Sequence, residues 1–307
     1  MIKPSTFRYI MGNKKYVNLL NNNKINNNKI NNNKINNNKI NNNKINNNKI
    51  NNNKINNNKI NNNKINKNAL LIGCNYIGTE YELSGCINDA QNLQNKLISQ
   101  YKFNNVKILT DNTSQKPTKN NIINEFKNLL INAKSDDILF FSFSGHGSQT
   151  YDQSKDEKDN RDELIVPIDF NYIIDDELNN IINNYLKKDV NLFVLFDSCH
   201  SGTMLDLKYE YQTNTNKNII NPKYKNTVGN IIFISGCLDS QYSADAYINK
   251  NFQGAMTWSF LETINKNPSI KWFDLVNNMC SLLKSNGYTQ TPYLTSGNLI
   301  SNNKNFF

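Results

Sequence analysis

Histidine is almost missing from this chain: His146 and His200 are the whole supply. A His-rich metal centre is excluded, and any imidazole catalysis must use one of those two. Cysteine is sparse and odd in number. Cys74, Cys86, Cys199, Cys237 and Cys280 are widely spaced with no CxxC, which fits free thiols in a reducing compartment better than a disulfide framework or a zinc site. No run of 18 apolar residues occurs, so no transmembrane helix and no membrane partner are expected. Residues 1–20 carry basic groups but no long apolar core and no small-residue cleavage site, a poor secretory signal. A mitochondrial presequence is the other reading of that segment, with one Arg and little Ser behind it. Together these features give a cytoplasmic expectation.

Acidic residues are absent from positions 1–65, where thirteen of the chain's 35 Lys and Arg lie. The formal net charge of +10 suggests a nucleic-acid or membrane-surface binder until its distribution is read. Removing those thirteen leaves 22 basic against 25 acidic residues over 66–307, a net of −3. No nucleic-acid footprint is expected of the part that folds. Residues 21–65 are nine copies of NNNKI. One Ile every five residues matches neither a helical nor a strand period, and so few apolar groups cannot offset the entropy of ordering the segment. We read 21–65 as disordered and 1–20 as a flexible basic head. An Asn-rich tail that aggregates or tethers anions is the functional alternative.

The 242 residues of 66–307 suffice for one α/β domain. Short apolar runs at 69–76, 106–110, 136–144, 191–198 and 230–236 read as buried strands, with a further strand at 291–297. ELIVPID (163–169) reads as a hairpin or loop strand, and polar 203–228 as irregular. Amphipathic helices are expected at about 88–100, 118–133 (capped by Thr118), 175–187, 255–265 and 270–283. Such alternation predicts a mostly parallel central sheet with helices on both faces, and ligands at the carboxyl ends of its strands.

Two strands end in reactive groups. FFSFSGHGSQ sets His146 between Gly145 and Gly147, and LFVLFDSCHSG sets Cys199 just past a second strand. A thiol whose proton an imidazole can take is a competent nucleophile toward carbonyl carbon. His146 is the better base, because His200 directly follows the nucleophile and points to the other side of the chain. The N–H groups of Gly147 and Cys199 are candidates for an oxyanion hole. An inert buried thiol is the alternative for Cys199.

GCNY and GTEYELSGCINDA within 73–90, FSGHGSQ (143–149), DELIVPID (162–169), DSCHSG (197–202) and SGCLDSQYSADA (235–246) resemble, in order and spacing, the metacaspases of the caspase-like clan. The resemblance covers nearly all of 69–297 and implies a three-layer caspase-like sandwich. A large-subunit-like part at 66–205, a polar linker at 206–228 and a small-subunit-like part at 229–307 follow from it. The arrangement is closer to type I than to type II, without the usual zinc-finger prodomain. Carried over, His146 is the catalytic His and Cys199 the nucleophile of a cysteine endopeptidase that cuts proteins and peptides after Arg or Lys. Cys86, Asp89, Ser144 and Asp197 line its specificity pocket. Two carboxylates at neighbouring strand ends suit a guanidinium or ammonium. The blander readings are a helix-capping role for Asp89 and a backbone N–H partner role for Asp197.

The resemblance further implies calcium activation through Asp162, Asp175, Asp176 and Asp206, hard oxygen donors that suit calcium. Asp175 and Asp176 could instead stabilise a helix N-terminus, and Asp152, Asp156, Glu157 and Asp159 form a solvated acidic loop. A monomer is expected. Cys237 is read as structural beside a substrate-binding loop that also holds Gln241 and Asp245. Cys74, Cys280, Trp258 and Trp272 are read as core. Lys208, Lys217, Lys223 and Lys225 in the linker are candidate self-cleavage points, as are the Lys of the repeat. Competing readings are an Asn-specific, legumain-like peptidase and a silent pseudo-protease that interacts through its Asn-rich tail.

Overall fold

The computed structural model describes residues 64–151, 161–199, 201–202, 204–213, 217–236, 245–248 and 251–301. The head, the repeat up to residue 63, the acidic loop, His200, Cys237 and Gln241 lie outside the described residues.

Five strands run parallel at the centre: β1 (Lys67–Gly73), β2 (Asn105–Thr110), β3 (Ile138–Ser144), β7 (Asn191–Asp197) and β10 (Asn230–Ser235). Antiparallel strands β13 (Tyr293–Ser296), β8 (Tyr209–Gln212) and β9 (Lys217–Ile220) extend this sheet to the order β2-β1-β3-β7-β10-β13-β8-β9. The interior strands β3, β7 and β10 are mostly apolar because both faces are covered. Along β7, Leu192, Val194 and Phe196 enter one core, and Phe193 and Leu195 the other. The first core is closed by α2 (Lys119–Ile131) and α3 (Asp175–Tyr185). The second is closed by α1 (Cys86–Ser99), α4 (Ala255–Lys266) and α5 (Trp272–Ser285). The result is a three-layer α/β sandwich. Thr118 caps α2, its hydroxyl accepting the Asn121 N–H, and Trp258 and Trp272 are buried.

One departure from the sequence reading matters. Residues 203–228 are not irregular: β8 and β9 form a hairpin there. Its strands are only four residues long, Ile219 and Ile220 are exposed, and the inward signal is Tyr209, partly buried against the second core, and Tyr211, buried with its ring 4.9 Å from that of Phe273. ELIVPID contributes β5 (Arg161–Ile165), the middle strand of a small antiparallel sheet between β4 (Gly147–Tyr151) and β6 (Ile173–Ile174). A last hairpin, β11 (Asp245–Ile248) with β12 (Asn251–Gly254), leads directly into α4.

Candidate active site

β3 and β7 are neighbours, and Ser144 stands opposite Asp197 in their register. His146 and Cys199 each lie two residues beyond that pair, at the carboxyl ends of adjacent strands. The Gly145 N–H donates to the Asp197 carbonyl at 3.3 Å, holding the two ends together. Past this point the chains touch: a Cβ on Gly147 would fall 2.1 Å from the Cys199 carbonyl oxygen, so only glycine fits. Both His146 and Cys199 are buried, and Cys199 is a free thiol.

The imidazole has a defined polarity. His146 Nε2 is 2.8 Å from the Tyr81 carbonyl oxygen. A carbonyl only accepts, so Nε2 carries a proton and Nδ1 is the basic nitrogen of the neutral ring. The main chain beside it is ordered by β5. The Val166 N–H donates to the His146 carbonyl at 3.0 Å, and the next facing pair is Gly147 with Ile165. Alternation of an antiparallel ladder turns the Gly147 N–H away from β5.

Asp89 and Asp197, both buried, converge on Gly254. Asp89 accepts the Ser144 hydroxyl at 2.6 Å and the Gly254 N–H at 3.0 Å, and Asp197 Oδ2 accepts the Thr257 N–H at 2.9 Å. These amides form the N-terminus of α4, whose unpaired N–H groups and dipole favour anions. A Cβ on Gly254 would lie 2.1 Å from Asp197 Oδ2 and 2.8 Å from Asp89 Oδ2. Asp197 thus does pair with backbone N–H, whereas Asp89 is no cap: α1 opens after Gly85 without a side-chain cap, and Asp89, in its first turn, binds α4. Asp89, Ser144 and Asp197 come together. Cys86, one helical turn before Asp89, is buried in the core under α2 and α3.

The four expected calcium ligands are distributed over β5, α3 and the turn after Cys199. Asp162 and Asp175 are buried, Asp176 is half-buried, and Asp206 is buried in a left-handed conformation at φ 48°. Asp175 accepts the Asp176 N–H at 2.7 Å and the Glu163 N–H at 2.9 Å. Burial first, then the Glu163 and Asp162 charges, push its carboxyl up to about 8 against those two hydrogen bonds. Among the described residues, no three His, Cys, Asp or Glu side chains form a ready-made metal cage.

The remaining thiols differ in character. Burial raises Cys74 well above its ordinary value and Cys280 to about 11. The Tyr81 carbonyl and Gly254 escaped sequence reading. A backbone carbonyl leaves no signature, whereas a glycine just before an apolar helical run was available as a sign of close approach.

A family model for the "Metacaspase, peptidase C14 domain" matches residues 67–208. The chain is 37% identical to Metacaspase-1 of Meyerozyma guilliermondii, with 74% of this chain and 68% of that protein aligned. It is 36% identical to Metacaspase-1B of Neurospora crassa, over 76% and 67% respectively. A crystal structure of a protein from Geobacter sulfurreducens shares the fold, with a TM-score of 0.58 at 24% identity, covering 77% of this chain and 95% of that one. Among the described residues, no helix is long and apolar enough to cross a membrane.

Proposed function

The chain belongs to the metacaspases, caspase-like cysteine endopeptidases, and from that premise we propose that it cuts proteins after Arg or Lys with a Cys199–His146 dyad under calcium control. The observation that carries the specificity is the pair of buried carboxylates, Asp89 and Asp197, meeting at Gly254 beside the strand ends that bear the dyad. Ser144 and the amides of α4 that hold them are neutral donors, and two carboxylates side by side suit a guanidinium or ammonium. An Asn-specific pocket has no use for two anions.

The chemistry follows from the tautomer. His146 Nδ1 takes the Cys199 thiol proton while the Tyr81 carbonyl steadies the positive ring through Nε2–H. The sulfur attacks the scissile carbonyl carbon, and the oxyanion meets the N–H groups of Gly147 and Cys199. Collapse expels the amine, which receives its proton from the imidazolium, and leaves a thioester. Water then attacks the thioester with the neutral imidazole as base. The acid is released and the thiol restored.

For calcium, the donor chemistry fits: Asp162 and Asp175, with Asp176 and Asp206, are hard oxygens, and the first two repel each other in a buried setting. Calcium bound there supplies positive charge to this carboxylate set and takes no part in bond-making. A calcium-induced rise in melting temperature, reversed by chelator, reads that binding without activity.

The deciding experiment is hydrolysis of Arg-, Lys-, Asn- and Asp-ending fluorogenic peptides by the full chain, with calcium or chelator, beside Cys199→Ala. Calcium-dependent cleavage after Arg and Lys, lost in the variant, is the expected result. Cleavage after Asn or Asp overturns the pocket reading. Indifference to chelator overturns calcium control, and activity in Cys199→Ala overturns the nucleophile.

A further inference from the structure

We propose that Tyr76 is a positioning residue for the catalytic imidazole, fixed in place by Asp111, in a role that rests on the dyad assigned above. Tyr76 lies just past β1, fully enclosed, in a left-handed conformation at φ 54°. A bulky side chain adopts that conformation only when its surroundings impose it. Asp111, just past β2, imposes it. One carboxylate oxygen accepts the Asn75 N–H at 2.7 Å and the other the Ile77 N–H at 3.1 Å, so the chain is gripped on both sides of Tyr76.

Tyr76 in turn holds His146 in three ways. Its hydroxyl accepts the His146 N–H at 2.8 Å and donates to the Val166 carbonyl at 2.5 Å. In the β4–β5 ladder the direct His146 N–H to Val166 carbonyl bond belongs at that point, facing the Val166 N–H to His146 carbonyl bond. The hydroxyl replaces it and sets the spacing of the two chains where the imidazole emerges. The phenol ring also lies against the imidazole, centroids 4.7 Å apart, with Phe170 stacked on Tyr76 at 5.8 Å. Finally, the Tyr76 carbonyl accepts the Thr79 N–H at 3.1 Å and the Thr79 hydroxyl at 2.8 Å. Those bonds start the turn that delivers the Tyr81 carbonyl to His146 Nε2. One residue thus determines the backbone position of the base, the plane of its ring and the acceptor that selects its tautomer. Burial raises the phenol well above its ordinary value, so it remains a donor across the working range.

The test uses the full chain with Tyr76→Phe and Asp111→Asn, beside His146→Ala and Tyr211→Phe. Tyr211 is a matched control: its buried hydroxyl accepts the Ile300 N–H at 2.8 Å in the opposite core. Two readouts are taken: kcat and KM on the cleaved peptide, and the iodoacetamide rate at Cys199 at pH 6 and pH 9, followed by peptide mass. Tyr76→Phe should lower kcat on the order of 10- to 100-fold with KM within about twofold. Its alkylation should slow at pH 6, where the thiolate depends on a well-placed imidazolium, and approach the parent at pH 9, where the thiol ionises unaided. Asp111→Asn should show the same pattern more weakly, and it decides the question if Tyr76→Phe does not fold. Tyr211→Phe should lower only the melting temperature. The proposal is overturned if Tyr76→Phe keeps kcat and the pH 6 to pH 9 alkylation ratio, or if Tyr211→Phe reproduces its losses. If His146→Ala retains turnover and pH 6 alkylation, the dyad itself is wrong, a result distinct from failure of the positioning role.

Discussion

A single hydrogen at Gly254 is what lets two carboxylates share one helix terminus. Gly254→Ala would force a methyl to 2.1 Å from Asp197 Oδ2, and the Asp197–Thr257 and Asp89–Gly254 hydrogen bonds cannot all survive the displacement. We expect a lower melting temperature and loss of Arg-peptide turnover. The isosteric Asp89→Asn keeps the volume and one acceptor but removes a charge. A charge-assisted hydrogen bond is worth about 1.5–3 kcal/mol, so kcat/KM for Arg peptides should fall by roughly 10- to 100-fold. An unchanged kcat/KM for Arg over neutral peptides would remove Asp89 from the pocket. Thiol reactivity is a second prediction at this scale. Burial disfavours the thiolate, holding Cys280 at about 11 and Cys74 high, so at pH 7.5 both are protonated. Iodoacetamide at that pH should spare both in the folded chain and reach them after unfolding; modification of either at the rate of a free thiol would contradict the packing. What could be read directly here were the side chains that carry chemistry after strands, His146 and Cys199. Tyr76, Asp111 and the Tyr81 carbonyl could not be, because each acts through backbone contacts made by distant segments, and Asp111 after β2 looks like any turn aspartate.

Among the elements, the central strands and the five helices of the described residues were legible, because strands buried on both faces are mostly apolar and the helices keep one apolar side. The edge hairpin was not. β9 is the outermost strand, Ile219 and Ile220 are exposed, and its neighbours are polar, so no alternation stands out. Its presence changes where self-cleavage is expected. Lys217 begins a paired strand, and Lys208 precedes one and is half-buried. Lys223 and Lys225 are exposed on the connection between β9 and β10, outside any strand. A protease needs an accessible segment it can hold extended, so the cut should follow Lys223 or Lys225. Mass measurement of fragments after calcium addition tests this, with Cys199→Ala remaining intact. Cleavage that falls within β8 or β9 would mean the hairpin opens first. Nicking of Cys199→Ala at the same place would assign the cut to another protease. After a cut there, β8 and β9 should stay on the sheet through pairing of β8 with β13.

At the scale of the whole molecule, charge and catalysis are segregated along the chain. All of the net positive charge resides in 1–65, while 66–307 is net negative and contains the dyad, the acidic pocket and the carboxylate set. Polyanion affinity depends on the number of cations neutralised and falls steeply with salt. Peptide hydrolysis depends on groups enclosed in the sandwich. The two properties should therefore separate on truncation. Full-length chain should be retained on a polyanionic resin at low salt and elute as salt rises, whereas 66–307 should flow through. With calcium present and the thiol reduced, kcat/KM on an Arg peptide should agree between the two within about twofold, since no residue of 1–65 belongs to the proposed site. Retention of 66–307 would reveal a basic surface that its composition does not predict. A large change in turnover on truncation, with the melting temperature unmoved, would instead make the N-terminal stretch a regulator of the site, acting by obstruction if activity rises and by support if it falls.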